Sequence, residues 1–339
     1  MSPGFRELAS DILSETLPQF YMKYKFITAI HYLQLESENQ SVELKSGYIS
    51  NRSSLLSEIF YNKLSLNTLG LHSIDEIREA PSYYTVDGDF GNDVNQNDID
   101  QLGTAFCFAM LRQIQLFVSK LWMLKDNSVY VRDGFLYSYC KSIEDGCTFK
   151  ASVSLINSFA DGNISNIIFT KENLVSVAKD MKIIPLEDIL KNRQDFKVAT
   201  QIQHYKKSGL SRKELAEMYV SLARKESVIP LKILMYSSAM EALVASATTE
   251  LSHRVGERVA ILIGTTPEER CNIYKNVKTG YDIRSKVAHG DFIGKNDETV
   301  IRETSILLDS YLRQLLTLDE PYSLKSDEMN KFYLRKLME

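Results

Sequence analysis

The sequence predicts a multidomain protein of two fold classes, an N-terminal mixed α+β domain followed by an all-α helical bundle. Its 339 residues exceed the commonest size of a single domain. Residues 128–170 alternate between apolar runs and Asp-Gly turns, as short strands do, whereas the chain from Ser211 onward has helical periodicity. We therefore expect an α+β domain at 1–205, a bundle at 210–318 and a helical tail at 319–339.

The elements of the α+β domain follow from local periodicity and turn signals. Two helices come first, a polar loop with glycines leads into a long apolar helix, and three strands follow. In chain order these elements cover residues 5–17, 51–64, 86–100, 103–124, 128–139, 148–159 and 163–170. The acidic part of the loop lacks the glycine and glutamate that a calcium loop needs, so we expect no calcium there.

The long apolar helix is the best candidate for a membrane span, but Arg112 and Lys120 interrupt it. A charge near the centre of a bilayer costs roughly 2.5–3.5 kcal/mol on insertion scales. The sequence therefore predicts a buried core helix. Because the N-terminus shows no signal peptide, we expect a cytoplasmic protein.

Composition and cysteine spacing exclude several classes of protein. Apolar residues make up 44% of the chain and charged residues 25%, which is typical of a folded protein with sizeable cores. The net charge of -4 argues against a protein that coats nucleic acid by bulk electrostatics. The four cysteines form no C-x-x-C pair, and Cys107 lies in an apolar run. We expect reduced thiols, no metal and no other cofactor.

Residues 191–226 form the most basic stretch of the chain, with nine Lys or Arg against four Asp or Glu. Such a stretch is either a solvated helix face or linker, or a surface that guides RNA. Composition alone leaves both interpretations open.

The helices of the bundle have recognisable start signals. Ser211 and Glu214 fit a capping box, in which each residue satisfies a free N–H of the other, and Pro230 can open the second helix. The later helices show apolar residues at helical spacing. We predict helices from about 211, over 231–247, 251–263 and 266–289, and over 297–318.

The fourth helix has signals at both ends. Thr266 is the predicted cap, Pro267 occupies a position that needs no N–H, and Glu269 completes a second box. Gly290 suits the left-handed turn that ends many helices. Gly280, in the middle, weakens the helix by about 1 kcal/mol relative to alanine and predicts a kink.

The segment 281–290, YDIRSKVAHG, contains one of five histidines. Asp282, Ser285 and His289 share one helix face because they lie at i, i+3 and i+7. Arg284 lies on a neighbouring face, from which its long side chain can reach them. Imidazole exchanges protons near neutral pH, and guanidinium matches phosphate oxygens. This combination suits metal-free cleavage of RNA, in which the ribose 2′-OH attacks its own phosphodiester.

The same segment has a simpler interpretation as a polar helix end, where the dipole favours His289. An arginine and a histidine at this spacing also occur by chance. Cleavage needs both an acid and a base, whereas one chain offers one such histidine, so a ribonuclease of this kind would be a symmetric dimer. Spacing alone does not decide between a polar helix end and a catalytic site.

Residues 237–290 resemble the HEPN domains, most closely the Apea-like branch. Short motifs in a fixed order carry the resemblance, namely Met-Glu-Ala-Leu at 240–243, Glu-Leu-Ser-His-Arg at 250–254, Leu-Ile-Gly at 262–264, Glu-Arg at 269–270 and the segment 281–290. With its flanking helices, the resemblance covers about 210–318, roughly a third of the chain. This order is much more specific than the Arg-x-x-x-x-His spacing.

The resemblance implies a bundle of four to five helices that forms a homodimer and acts as a metal-independent ribonuclease. Arg284 and His289 match the catalytic positions of the family, and Asp282 and Ser285 would support them. Ser285 occupies a place where many members have Asn, Asp or His. Asp291 stands where one toxin branch has a tyrosine that is modified, so that silencing mechanism is not expected.

The resemblance also implies a role in bacterial defence against phage through abortive infection. The α+β domain would then sense a trigger or restrain the nuclease. Two alternatives remain, a HEPN bundle that serves only dimerisation or partner docking, and a nucleotide-binding sensor that does not cleave.

Four basic side chains near the motif are candidates for binding RNA, namely Lys278, Lys286, Arg254 and Arg258. The two lysines flank the motif and fit a solvated helix equally well. The two arginines lie one turn apart and could face phosphate. Their alternative is a structural ion pair with Glu241 or Glu257.

Overall fold

The computed structural model describes residues 23–60, 62–90, 94, 96–141, 143, 146–179, 210–246, 250–291 and 298–338. Within these ranges, a sheet-containing region precedes a helical bundle, as the sequence predicts. The helix predicted at 5–17 and much of the basic stretch at 191–226 lie outside the described residues.

The sheet-containing region combines short strands with helices. In chain order its described elements are β1 (Lys23–Ile30), β2 (Leu33–Leu35), β3 (Ser41–Glu43), β4 (Tyr48–Ser50), α1 (Ser53–Phe60), α2 (Lys63–Glu79), β5 (Ser82–Asp89), α3 (Gln96–Lys120) with a 3-10 turn (Leu121–Met123), β6 (Asp133–Tyr139), β7 (Cys147–Ser152), β8 (Ile167–Phe169) and α4 (Lys171–Ala178). Six strands form one antiparallel sheet in the order β3-β4-β5-β1-β6-β7. The remaining two, β2 and β8, pair in parallel.

The strand β1 lies at the centre of the sheet, between β5 and β6. Its side chains alternate between two cores because successive residues of a strand point to opposite faces. Phe26 and Ile30 join the core formed with α3, whereas Ile27 and Ala29 join the core formed with α1 and α2. Helices therefore cover both faces of the sheet.

The helix α3 is the buried core helix that the sequence predicts at 103–124. Cys107, Leu111 and Ile114 are buried against the sheet, which confirms the placement of Cys107 in the core. The helical stretch Asn97–Met123 is long and apolar enough to cross a membrane, yet 61% of its most apolar window is buried inside the fold. Most of the apolar surface of α3 therefore packs inside the fold, in the core that it shares with the sheet.

The central strands are the main feature that the sequence prediction missed. The alternation of apolar runs and Asp-Gly turns predicts strands only after Trp122, but β1 and β5 precede that residue. The loop predicted at 86–100 is also partly regular, since β5 continues to Asp89 and α3 begins at Gln96. A strand covered on both faces lacks the alternation of polar and apolar residues that marks a half-exposed strand. This explains why β1 escaped detection.

The strands predicted after Trp122 are present but shorter than predicted. In the second, β7 ends at Ser152 instead of continuing to 159. Beyond it, the Asn157 side chain donates to the Val129 carbonyl at 2.7 Å, and the Ser158 N–H donates to the Arg224 carbonyl at 2.9 Å. Residues 157 and 158 therefore leave the sheet, and Ser158 contacts the bundle.

The helices after Ser211 follow their predicted boundaries closely. The described helices of the bundle are α5 (Arg212–Lys225), α6 (Ile229–Val244), α7 (Leu251–Ile263), α8 (Pro267–His289), α9 (Glu298–Thr317) and α10 (Ser326–Met338). The capping box is confirmed, because the Ser211 hydroxyl accepts the Glu214 N–H at 3.2 Å and Glu214 Oε2 accepts the Ser211 N–H at 2.7 Å. Pro230 lies in the first turn of α6, as predicted.

The helix α8 shows two differences from the prediction. Thr266 does cap it, but Glu269 binds the N–H of Thr265, at 2.8 Å, instead of completing a box with Thr266. The predicted kink at Gly280 is wrong, because α8 continues without interruption through this residue. A Cβ atom at Gly280 would lie 2.8 Å from Leu308 Cδ1. The glycine therefore permits close approach of α9.

The core of the bundle extends beyond the predicted domain. Trp122 and Ala160 of the sheet-containing region are buried among the side chains of the bundle. Met329 and Tyr333 of α10 belong to the same core, so this helix of the predicted tail packs on the bundle. The two regions share a junction.

A group of polar residues lies at this junction, and we call it the junction cluster. Its members are Trp122, Asp126, Arg224, Lys232, Tyr236, Asp309 and Arg313. Asp309 of α9 is 1% exposed and accepts hydrogen bonds from the Trp122 indole at 2.7 Å and the Tyr236 hydroxyl at 3.0 Å. It also pairs with Arg313. These bonds tie α3 to two helices of the bundle.

The other charged groups of the junction cluster bind mainly backbone groups. Asp126 accepts the Ala160 N–H at 2.8 Å, and the Lys232 ammonium donates to the Ala223 carbonyl at 3.0 Å. Burial, with a contribution from the Asp309 charge, raises the pKa of Asp126 to about 6. Burial lowers the pKa of Lys232 to about 8. Both shifts show that the junction disfavours the charged forms.

Candidate active site

The segment 281–290 forms the last turns of α8. Gly290 ends the helix in the left-handed conformation, with a φ of 73°, and its N–H reaches the Val287 carbonyl at 3.3 Å. This turn confirms the predicted helix stop and makes His289 the last helical residue.

Arg284 is held against the neighbouring helix α6. Its Nη2 lies 3.7 Å from Oε1 of Glu241, and 37% of the arginine side chain is exposed. The Nε of Arg284 and the Oε1 of Glu241 are both buried without a hydrogen-bond partner. The long ion pair therefore orients the guanidinium but leaves part of its hydrogen-bonding capacity unused.

Tyr281 lies one turn before Arg284 and is buried. Burial and the neighbouring Glu241 carboxylate raise the pKa of its hydroxyl. A protonated hydroxyl is a potential hydrogen-bond donor to a carboxylate. The hydroxyl is buried without a hydrogen-bond partner, as are Glu241 Oε1 and Arg284 Nε, so Tyr281 adds a polar group beside this pair without a hydrogen bond to it.

The other three predicted site residues are exposed. Asp282, Ser285 and His289 have no burial that would fix their side chains. On an ideal helix, Asp282 and His289 are separated by about 10 Å along the axis, too far for direct contact. The imidazole at the helix end is therefore open to a substrate or to a second protein chain.

Three of the four basic candidates for RNA binding remain accessible. The Lys278 ammonium lies 6.0 Å from the centre of the Tyr274 ring, and Lys286 is exposed. Arg254 is 39% exposed and lies 3.8 Å from Glu250, not from either of the predicted glutamates. A pair this exposed contributes little to stability, so the arginine is free to exchange partners.

Arg258 is buried inside the bundle instead. Its guanidinium donates to the Val244 carbonyl and to Asn330 Oδ1, each at 2.6 Å, and lies 4.6 Å from the centre of the Tyr333 ring. These partners are a carbonyl, an amide and a ring, not the predicted carboxylates. Arg258 ties α7 to α10 and does not present its charge to RNA.

Two residues near the motif were not predicted from the sequence, namely Glu241 as the partner of Arg284 and the buried Tyr281 beside it. One signal was available. Glu241 is the only charged residue of the Met-Glu-Ala-Leu motif, and it lies in a helix with many buried apolar residues. A carboxylate in such a helix is normally paired, but the sequence does not say with which group.

No family model, curated protein or solved structure matches this chain. The comparisons therefore add nothing to the resemblance, and a function has to be argued from the residues and their geometry. Within the described ranges, no three His, Cys, Asp or Glu side chains come together in a way that could hold a metal ion.

Proposed function

We propose that the protein is a metal-independent RNA endonuclease of the HEPN type, with Arg284 and His289 as its catalytic residues. One observation carries the proposal. The end of α8 combines a partly exposed guanidinium, 3.7 Å from Glu241, with an exposed imidazole at the last helical position. A phosphodiester at this helix end could meet both groups.

In the proposed reaction, the ribose 2′-oxygen attacks the adjacent phosphorus and the bond to the 5′-oxygen breaks. The products are a 2′,3′-cyclic phosphate and a 5′-OH. His289 takes the proton of the 2′-OH or gives one to the leaving 5′-oxygen. Arg284 stabilises the charge that builds on the phosphate oxygens.

The proposal includes a homodimer, because one chain supplies one exposed histidine at this site. Pairing the ends of two α8 helices about a two-fold axis would supply both the acid and the base. Asp282 and Ser285 would then orient groups of the partner chain. The proposed setting is abortive infection in the bacterial cytoplasm, with the sheet-containing region sensing a trigger or restraining cleavage.

The test is cleavage of total cellular RNA by the purified full-length protein in the presence of EDTA. We expect discrete cuts with cyclic phosphate ends for the wild type. Arg284→Ala and His289→Ala should each lower the cleavage rate by about 100-fold or more, as loss of a catalytic group does.

Matched controls come from the same bundle. His253→Ala and Arg335→Ala remove an exposed histidine of α7 and an exposed arginine of α10, and cleavage should persist in both. The proposal fails if the cuts persist in His289→Ala, or if Arg284→Ala cleaves RNA at the rate of the wild type.

The ion pair with Glu241 favours a second candidate function, in which Arg284 only connects α8 to α6 in a bundle for dimerisation or partner docking. The two functions differ in what Arg284→Ala changes. A structural role predicts a lower melting temperature and altered dimerisation. A catalytic role predicts lost cleavage at nearly unchanged stability, since an ion pair as long as 3.7 Å, with an arginine that is more than a third exposed, contributes about 1 kcal/mol or less.

A further inference from the structure

A cavity of about 310 Å³ opens beside the junction cluster. This volume lies at the small end of the range typical of ligand sites, which often occur between two domains. The cavity is lined from both regions, by Leu116, Lys120 and Trp122 on one side and by Glu217, Val220 and Arg224 on the other.

One part of the lining is apolar. Leu116 of α3 is 52% exposed and lies on this wall. Val220 and Trp122 are each 3% exposed and form part of the same wall. An apolar or aromatic group bound here would remove the leucine from water.

The other part of the lining contains a buried cation. Arg224 is 4% exposed, and its Nη atoms donate to the Ser119 carbonyl at 3.4 Å and to the Asn127 carbonyl at 3.1 Å. One Nη atom also donates to Asn127 Oδ1 at 2.9 Å, and the Nε is buried without a hydrogen-bond partner. Within the described part of the chain, no carboxylate is in ion-pair contact with this guanidinium, and the charges of Asp126 and Asp309 act on it from a greater distance. A buried charge without a direct counter-ion is costly.

The surroundings of the cavity are also positively charged. Burial, with the charges of Arg112 and Arg224, lowers the pKa of Lys225. Lys120 lines the cavity itself, and Glu217 is the one carboxylate among the lining residues. Burial is the largest cause that raises the pKa of Glu217, and the positive charges of Lys213 and Lys120 oppose it. The charged lining residues are therefore two cations, Lys120 and Arg224, and one carboxylate, and this excess of positive charge favours an anionic group.

We propose that this cavity binds a small amphipathic anion, an apolar ring system that carries one carboxylate or phosphate group. The ring packs against Leu116, Val220 and Trp122, and the anionic group faces Lys120 and Arg224. Because the wall contains residues of both regions, the ligand binds the sheet-containing region and the bundle together. This proposal does not depend on the ribonuclease proposal.

Trp122 is the only tryptophan of the chain, so its fluorescence reports on this wall alone. The probe is anilinonaphthalene sulfonate, an aromatic anion that accepts energy from tryptophan, titrated into the full-length protein. The uncharged phenylnaphthylamine is the matched ligand. We expect saturable quenching with one probe per chain, and affinity at least about tenfold lower for the uncharged compound.

Variants locate the bound probe. Ser221→Phe fills the cavity, and Lys120→Met removes a charge from an exposed position where folding is not at risk. Each should weaken binding by about tenfold or more. The control is Leu222→Phe, the same aromatic substitution at a neighbouring residue that is 43% exposed and does not line the cavity. Its affinity should equal that of the wild type.

Competition identifies the anionic group. Naphthalene acetate and adenosine monophosphate are each used to displace the probe, and the stronger competitor shows whether a carboxylate or a phosphate is preferred. The proposal is overturned if neither displaces the probe or if both probes bind equally well. It is also overturned if Lys120→Met, with a wild-type circular dichroism spectrum, binds the anion as the wild type does.

Discussion

Arg224 and Arg284 place the same functional group in opposite environments. Arg224 is buried at the junction and donates hydrogen bonds to backbone carbonyls of the sheet-containing region. Arg284 is more than a third exposed at the end of α8, where its ion pair is the long one with Glu241. The comparison teaches that partners, not residue type, separate a structural arginine from one that is available to a substrate.

The same contrast holds for the carboxylates of the two sites. Asp309 receives hydrogen bonds from two aromatic side chains and pairs with Arg313, all inside the fold. Asp282 is exposed on α8. The junction cluster therefore contributes to stability, while the end of α8 has polar groups that stability does not require. Three predictions follow, in order of decreasing effect.

The largest effect is expected for Asp309→Ala. The substitution leaves the Trp122 indole, the Tyr236 hydroxyl and the Arg313 guanidinium without their shared acceptor. Loss of one partner from a buried ion pair lowers the free energy of unfolding by about 3–5 kcal/mol. Denaturant unfolding measures it. Asp282→Ala is the control, with a change within about 0.5 kcal/mol. Equal effects for the two variants would remove the contrast between the sites.

The next effect concerns Asp126 and pH. Its pKa is about 6 in the folded protein against an ordinary value of 3.8, so between these pH values the folded state holds more protons than the unfolded state. The contribution of this group is therefore fully present below pH 3.8 and is lost as the pH rises through about 6.

Asp126→Asn removes this titration but keeps an oxygen for the Ala160 N–H. The stability of the variant relative to the wild type should therefore increase between pH 4 and pH 7, by about 2 kcal/mol on the scale of 1.36 kcal/mol per pKa unit. Thermal melts at several pH values test this. A constant difference across the range would show that Asp126 is not the titrating group.

The smallest effect is expected at Gly290. Its φ of 73° is left-handed, and a Cβ atom there would meet nothing within 4 Å, so backbone strain alone decides. Gly290→Ala should lower stability by about 1 kcal/mol, and Gly290→Asn by less, because asparagine tolerates this conformation better. If the two variants have the same melting temperature, the left-handed turn at the end of α8 is not the constraint that positions His289.

The sequence predicted the bundle better than the sheet, for a physical reason. Helix signals are local, and the caps at Ser211 and Thr266 appear where they were predicted. The central strand β1 is recognisable only through its neighbours β5 and β6, which are distant in sequence. A strand buried on both faces has no alternation of its own to reveal it.

The candidate site also has one part that was predictable from the sequence and one part that was not. Spacing on one helix was sufficient to place Asp282, Ser285 and His289 on a shared exposed face. The roles of the arginines could not be predicted, because they depend on which helix packs beside them. Arg258 became a buried link to α10, and Arg284 acquired Glu241 of α6.

What the sequence determined by itself is the order, the limits and the exposed faces of the helices after Ser211. Caps, left-handed turns and helical periodicity depend on residues within one or two turns of each other. Only the tertiary structure decided the junction, where Trp122 and Asp309 bond across 187 positions of sequence. Such a contact exists only after two regions have packed, since no local preference of either residue selects the other.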